Sequence, residues 1–281
     1  MDLVSSAGAI PASVVTTPPG RPEALFRVGA ARPDGEGIRE EMRTGPWLRG
    51  WDAAPCARSL GVFLDDLTGN ALLAGRPADY WPVSTELSID LSAPPPLDGS
   101  LLTGWSRAVS LDPGGGLGQG TVTNSLGRTV ATATARARYL PAPRSLPSPL
   151  APVGEGELPT AGSTMDLLGA TARREAGMLV LTLPGSASFA NPMGNTHGGV
   201  LLCAAEIAGS LALHAGDRPL RTSSIRMIYV RPVPAGGTVT FTAEVLHRGR
   251  TLGAAQVIAR DAGGKTCAVT TITGHDQALP R

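Results

Sequence analysis

The sequence predicts an α+β protein made twice over from one kind of unit, a buried central helix wrapped by an antiparallel sheet of about five strands. Three observations predict it. Two blocks of similar size carry the same order of elements on either side of a Pro-rich stretch. Each block holds a helix-like run that is apolar on nearly every face, "SLGVFLDDLTGNALL" and "GVLLCAAEIAGSLAL", and such a helix is buried on most sides. Each run is followed by alternating, strand-like segments separated by turn residues.

Residues 1–22 are rich in Ser, Ala, Thr and Pro and read as a disordered tail. The first unit spans 23–139. Its helix is followed by "VSTELSIDLSAPPP", a strand ending near Pro94, then "LLTGWSRAV" and the closing pair "LGQGTVTNSLGRTVATATARARYL". Residues 140–160 are a linker, with six prolines and no periodicity. The second unit, 161–281, repeats the order. Its helix precedes "RTSSIRMIYVRPVPAGGTVTFTAEVL", whose first strand ends near Pro232, and then "LGAAQVIARDAGGKTCAVTTITGH". "NSLGR" and "DAGGK" are hairpin turns in matching places. In each helix a Gly follows an acidic residue by three positions, Asp66 with Gly69 and Glu206 with Gly209. Two unrelated α+β domains are the alternative, and the matched order and lengths weigh against it.

Composition excludes several classes. The chain has 281 residues, 42% hydrophobic but only 4% aromatic, so its core is aliphatic. With 17% charged residues and a formal net charge of +1, it lacks the basic patch of a nucleic-acid partner. Its apolar runs break before the ~20 residues of a membrane span. "MDLVSSAGAIPASVV" has no Lys or Arg and does not read as a signal peptide. Cys56, Cys203 and Cys267 are an odd, widely spaced set, which suits the reducing cytoplasm. No metal-ligand spacing and no phosphate loop is present, so the sequence implies neither metal nor cofactor.

The chemistry concentrates in "NPMGNTHGGVLLCAAE", Asn191 to Glu206. The first N–H groups of a helix lack internal partners, and the helix dipole favours negative charge there. Glycines let a ligand approach the backbone. His197, Gly198 and Gly199 before an apolar helix therefore fit an oxyanion hole, with a plain glycine loop as the other reading. A carboxylate inside an apolar helix is costly unless paired or wet, which singles out Asp66 and Glu206. Asp65 and Asp66 point about a hundred degrees apart on a helix, so one of them is expected at a solvent edge or a cap.

This stretch resembles the N-x-x-G-x-x-H-G-G…D signature of PaaI-type acyl-CoA thioesterases of the hotdog superfamily. "SSIRMIYVRPVPAGGTVTFTAEVLHRGRTLGAAQVIARDAGGK" resembles the sheet that follows it there. Block one resembles the family more weakly. Together the blocks look like a tandem, double-hotdog protein of the PaaI or 4-hydroxybenzoyl-CoA thioesterase kind, two antiparallel sheets each around a central helix, joined as a pseudo-dimer.

The resemblance implies a site shared between units, the helix start from one and the acidic residue from the other's helix. It therefore pairs the Asn191–Gly199 loop with Asp66 as general base or nucleophile on an acyl-CoA or acyl-carrier thioester. Gly198 N–H would hold the oxyanion, and the Asn191 amide would donate to the same region or align the carboxylate. Ser84 matches a serine that in some relatives orients the attacking water. His197 would bond within the loop and fix its shape. Gly199, Glu206 and Thr222 are assigned to substrate binding. Counting back from Asp66 places Ala57 and Trp51 where block two has His197 and Asn191, so the reverse site, with Glu206 and Thr222, reads as eroded. A homo-oligomer of the pseudo-dimer stays open. Two other readings are a hotdog dehydratase or hydratase, whose Asp and His five apart are missing here, and a non-catalytic acyl-CoA binder.

Overall fold

The computed structural model describes residues 20–50, 56, 60–73, 75–142, 160–214 and 220–276. The first half runs α1 (Arg21–Leu25), β1 (Arg32–Asp34), β2 (Gly37–Arg43), α2 (Leu60–Leu73), β3 (Tyr80–Leu91), β4 (Leu101–Asp112), β5 (Gly115–Thr123) and β6 (Thr129–Pro141). The second half repeats it: α3 (Thr164–Leu168), β7 (Thr171–Glu175), β8 (Met178–Leu183), α4 (Gly198–Leu213), β9 (Arg221–Tyr229), β10 (Val239–Arg248), β11 (Leu252–Asp261) and β12 (Thr266–His275). All strands join in one 12-stranded antiparallel sheet, ordered β1-β2-β4-β5-β6-β3-β9-β12-β11-β10-β8-β7.

Each half thus adds six strands where the sequence suggested about five. The extra strand is short: β1 covers three residues of "RPDGEG", which has no alternation to read. The predicted turns "NSLGR" and "DAGGK" join β5 to β6 and β11 to β12. The two sheets are continuous because β3 pairs with β9, from Glu86↔Ile228 to Asp90↔Ser224. Arg226 fastens this seam from β9, donating to Asp90 Oδ1 at 2.6 Å and to Ile89 O at 2.7 Å.

α2 and α4 lie on the same face of the sheet and are buried nearly all round. They touch where both carry glycine. A β-carbon on Gly199 would fall 2.4 Å from Val62 Cα, and one on Gly61 would fall 2.8 Å from Gly199 O. No larger residue fits without moving a helix. This contact brings the start of α4 against the first turn of α2.

α1 starts at Arg21, inside the tail expected to run to residue 22, and Glu23 is 5% exposed. Residues 1–19 of the expected tail, 143–159 of the expected linker and 277–281 lie outside the described residues, as do Trp51 and Ala57. β6 extends to Pro141, into the expected linker.

Candidate active site

The loop before α4 is organised by its own side chains. Asn191 Oδ1 accepts the N–H groups of Met193 (2.9 Å) and Asn195 (3.1 Å). Gly194 takes the positive φ of 77°, which glycine adopts without strain. The chain then turns at His197, the N-cap of α4. Asn191 is therefore the residue that shapes the loop, and its side-chain oxygen is engaged there.

At the helix start the two halves meet. Gly199 N–H donates to Asp65 Oδ2 at 2.8 Å, and Ser84 Oγ donates to Asp65 Oδ1 at 2.8 Å. Gly199 N also lies 3.1 Å from His197 Nδ1. The carboxylate is the stronger acceptor, which leaves Nδ1 to carry a proton toward Asp65 Oδ2, 3.4 Å away. A β-carbon on Gly198 would fall 2.6 Å from the same Oδ2. The carboxylate thus packs close over Gly198, where a side chain would clash, while the N–H aimed at it is that of Gly199.

The carboxylate brought to the loop is Asp65, one residue before the Asp66 picked out by spacing. Asp65 is 7% exposed; of the solvent edge or cap expected for one of the two aspartates, it takes a capping place, accepting an N–H at the start of α4. The second half explains the offset. There Thr222 Oγ1 donates to Glu206 Oε1 just as Ser84 donates to Asp65. By contact, Asp65 is the counterpart of Glu206, so the helices correspond one residue differently from the Gly69 and Gly209 alignment. Glu206 is fully buried within α4. It lies away from the Gly199–Asp65 contact, as does Thr222.

Behind the loop sits a buried acidic cluster that the sequence did not reveal. His197 Nε2 is 3.0 Å from Glu23 Oε1 of α1. Asp66 is half-buried beside them; Glu23, Asp66 and His197 each place a ligand-capable atom within 4.8 Å of the others. Glu40 of β2 accepts from Asn70 Nδ2 of α2 at 2.9 Å. Burial pulls the His197 pKa down, but the charge and hydrogen bond of Glu23, with Asp65 and Asp66, outweigh it and lift it to about 9. Burial pushes Glu23 up, and His197 more than offsets this, leaving it below its usual value. Burial raises Glu40 to about 8 and Asp66 well above the carboxylate range, the latter aided by the charges of Glu40 and Glu23. The pair at the loop is thus an imidazolium with a carboxylate. Glu40 did carry a sequence signal: Ile38, Glu40 and Met42 share the buried face of β2. Glu23 carried none.

The comparisons agree with this architecture. A family model described as Thioesterase superfamily matches residues 193–268, the loop, α4 and the sheet after it. That part of the second half is similar to the thioesterase superfamily. Among solved structures, a protein of Thermobifida fusca designated a thioesterase II is 16% identical, with a TM-score of 0.62, covering 92% of this chain and 100% of that one. An acyl-ACP thioesterase of Bacteroides thetaiotaomicron is 13% identical, with a TM-score of 0.56, covering 90% of this chain and 99% of that one. The PaaI protein from the phenylacetic acid degradation operon of E. coli is 27% identical over 41% of this chain and 83% of its own, with a TM-score of 0.39. No curated protein matches the chain. The two whole-length likenesses show that this chain has the hotdog fold. No helix among the described residues is long and apolar enough to cross a membrane.

Proposed function

We propose that the chain is a double-hotdog hydrolase of acyl-CoA or acyl-carrier thioesters, with its working site at the junction of the halves. The observation that carries this reading is the 2.8 Å contact between Gly199 N–H and Asp65 Oδ2. It sets a helix-start N–H donor beside a buried carboxylate, next to Gly198, which carries no side chain.

In the free protein Asp65 occupies the donor. A thioester carbonyl entering at Gly198 takes over Gly199 N–H, where the start of α4 stabilises negative charge. Asp65 is then released as a base while Ser84 still holds its other oxygen. Water adds its oxygen to the carbonyl carbon and gives its proton to Asp65. The tetrahedral anion collapses, the C–S bond breaks and the thiolate takes up the proton. Direct attack by Asp65 to form a mixed anhydride, later hydrolysed, uses the same groups. His197, held by Glu23, fixes the loop and places positive charge beside Asp65.

The test is thiol release by the purified full chain from a panel of short, long and aromatic acyl-CoA esters, read with a thiol-reactive chromogen. Turnover above buffer that is lost in Asp65→Asn supports the reading. Saturable binding of acyl-CoA with no thiol release from any ester rejects it in favour of a non-catalytic binder.

A further inference from the structure

Tyr229, the last residue of β9, lies on the helix-covered face of the strand with the buried Ile225 and Met227. Its ring packs against the core. Its hydroxyl is buried and has no hydrogen-bond partner among the described residues. A buried phenol hydroxyl usually finds a partner, because losing water without replacement is unfavourable. Phenylalanine would fill the same space without that penalty. The hydroxyl therefore needs an explanation that the packing does not supply.

Its direction supplies one. The point where a side chain would begin on Gly198 is 3.1 Å from the Tyr229 hydroxyl and 2.6 Å from Asp65 Oδ2. The same small space is thus bounded by the carboxylate on one side and the orphan hydroxyl on the other, next to the residue whose N–H faces Asp65. Burial, aided by the charge of Asp65, raises the phenol pKa well above its usual value. The group therefore stays protonated and able to donate at neutral pH.

We propose that Tyr229 is a further catalytic residue, whose hydroxyl donates to the thioester carbonyl oxygen and, with Gly199 N–H, holds the oxyanion. This rests on the hydrolase reading above. One donor comes from the backbone at the start of α4 and the other from the end of β9, so two elements of the second half clasp the oxygen while Asp65 of the first half serves the attack. No proton leaves Tyr229 in the step; its hydrogen bond shortens as charge develops and relaxes when the C–S bond breaks.

The test is Tyr229→Phe, assayed beside the wild-type chain with the acyl-CoA it hydrolyses best, together with thermal melting of both. The expected result is a kcat lower by about ten- to a hundredfold, at or just below the usual loss for an oxyanion donor, with KM little changed. The variant's Tm should equal the wild-type value or exceed it by about 2–4 °C, since an unpartnered polar group has been removed. A slower and no less stable enzyme is the signature of a catalytic hydroxyl, and a structural role cannot produce it. Wild-type kcat in the variant overturns the proposal while leaving the hydrolase reading intact. A slow variant with a clearly lowered Tm assigns the hydroxyl to packing and also overturns it. If the wild-type chain itself hydrolyses no thioester, the hydrolase reading fails and this inference falls with it.

Discussion

Gly199 of the second half donates its backbone N–H to the Asp65 carboxylate of the first half at 2.8 Å. The contact spans 134 positions of sequence. It exists because α2 and α4 approach at Gly61 and Gly199, where neither helix has a side chain to keep them apart.

Three carboxylates on the two central helices can be told apart by this contact. Asp65→Asn keeps the shape and removes the base or nucleophile, so kcat should fall at least about a hundredfold. Asp66 is not the carboxylate that meets Gly199 N–H, so in Asp66→Asn most of the rate should remain. Glu206→Gln should also retain most of it, because Glu206 bonds Thr222 away from the loop. Steady-state kinetics of the three variants with one acyl-CoA decide the order; a dead Asp66→Asn with an active Asp65→Asn reverses the assignment.

Ser84 should matter through orientation. Its hydroxyl holds Asp65 Oδ1, and a hydrogen bond to a charged group contributes about 1.5–3 kcal/mol. Ser84→Ala should lower kcat by about tenfold or somewhat more, and Ser84→Thr should restore part of it, since Thr222 makes the same bond to Glu206. Equal kcat in all three proteins would show that Asp65 needs no such support.

The space at Gly198 predicts a steric block. A methyl group there would meet Asp65 Oδ2 at 2.6 Å and Tyr229 at 3.1 Å. Gly198→Ala should therefore lose turnover by about a hundredfold, on the scale of a lost oxyanion contact. Gly198→Pro is a poor test of the donor: this is the first position of α4, where proline is tolerated, and the N–H facing Asp65 is the next one. Near-normal kcat in a folded Gly198→Ala protein would place the reacting carbonyl elsewhere.

The helix crossing should be sensitive for a different reason. A β-carbon on Gly61 would press on Gly199 O at 2.8 Å and Cys203 Sγ at 3.0 Å. Gly61→Ala should destabilise the fold by about 1–3 kcal/mol, the usual cost of overpacking, and slow turnover by displacing Gly199. Chemical denaturation and kinetics measured on the same sample test both halves of the claim.

The buried cluster sets a pH dependence of stability. His197 has a folded pKa of about 9 against an ordinary 6.5, so its contribution is complete below 6.5 and is lost as pH rises through about 9. Glu40, raised from 4.5 to about 8, keeps a proton that the unfolded chain releases, so it also lowers stability as pH rises toward 8. Glu23 acts oppositely: its pKa is depressed, and its contribution is lost only in acid. The Tm should therefore fall between pH 6.5 and 9.5, and Glu23→Gln should flatten the part due to His197. A Tm that rises over that interval would contradict a charged His197.

The repeat, the two all-apolar helices, the hairpin turns and the loop from Asn191 to Gly199 were legible because each is local. Periodicity, turn chemistry and glycine placement are written in neighbouring residues, and so was the pairing of that loop with the other half's helix once the superfamily resemblance was seen. Which of two adjacent aspartates meets the loop was not legible. That choice depends on the rotation of α2 against the sheet, set by packing around Gly61 and by where Ser84 falls in β3 after the bulge between Ser84 and Glu86. The Glu23–His197 pair and the orphan hydroxyl of Tyr229 were hidden for the same reason. Their meaning arises only from distances between residues far apart in the chain, which the tertiary packing of two helices on one sheet alone determines.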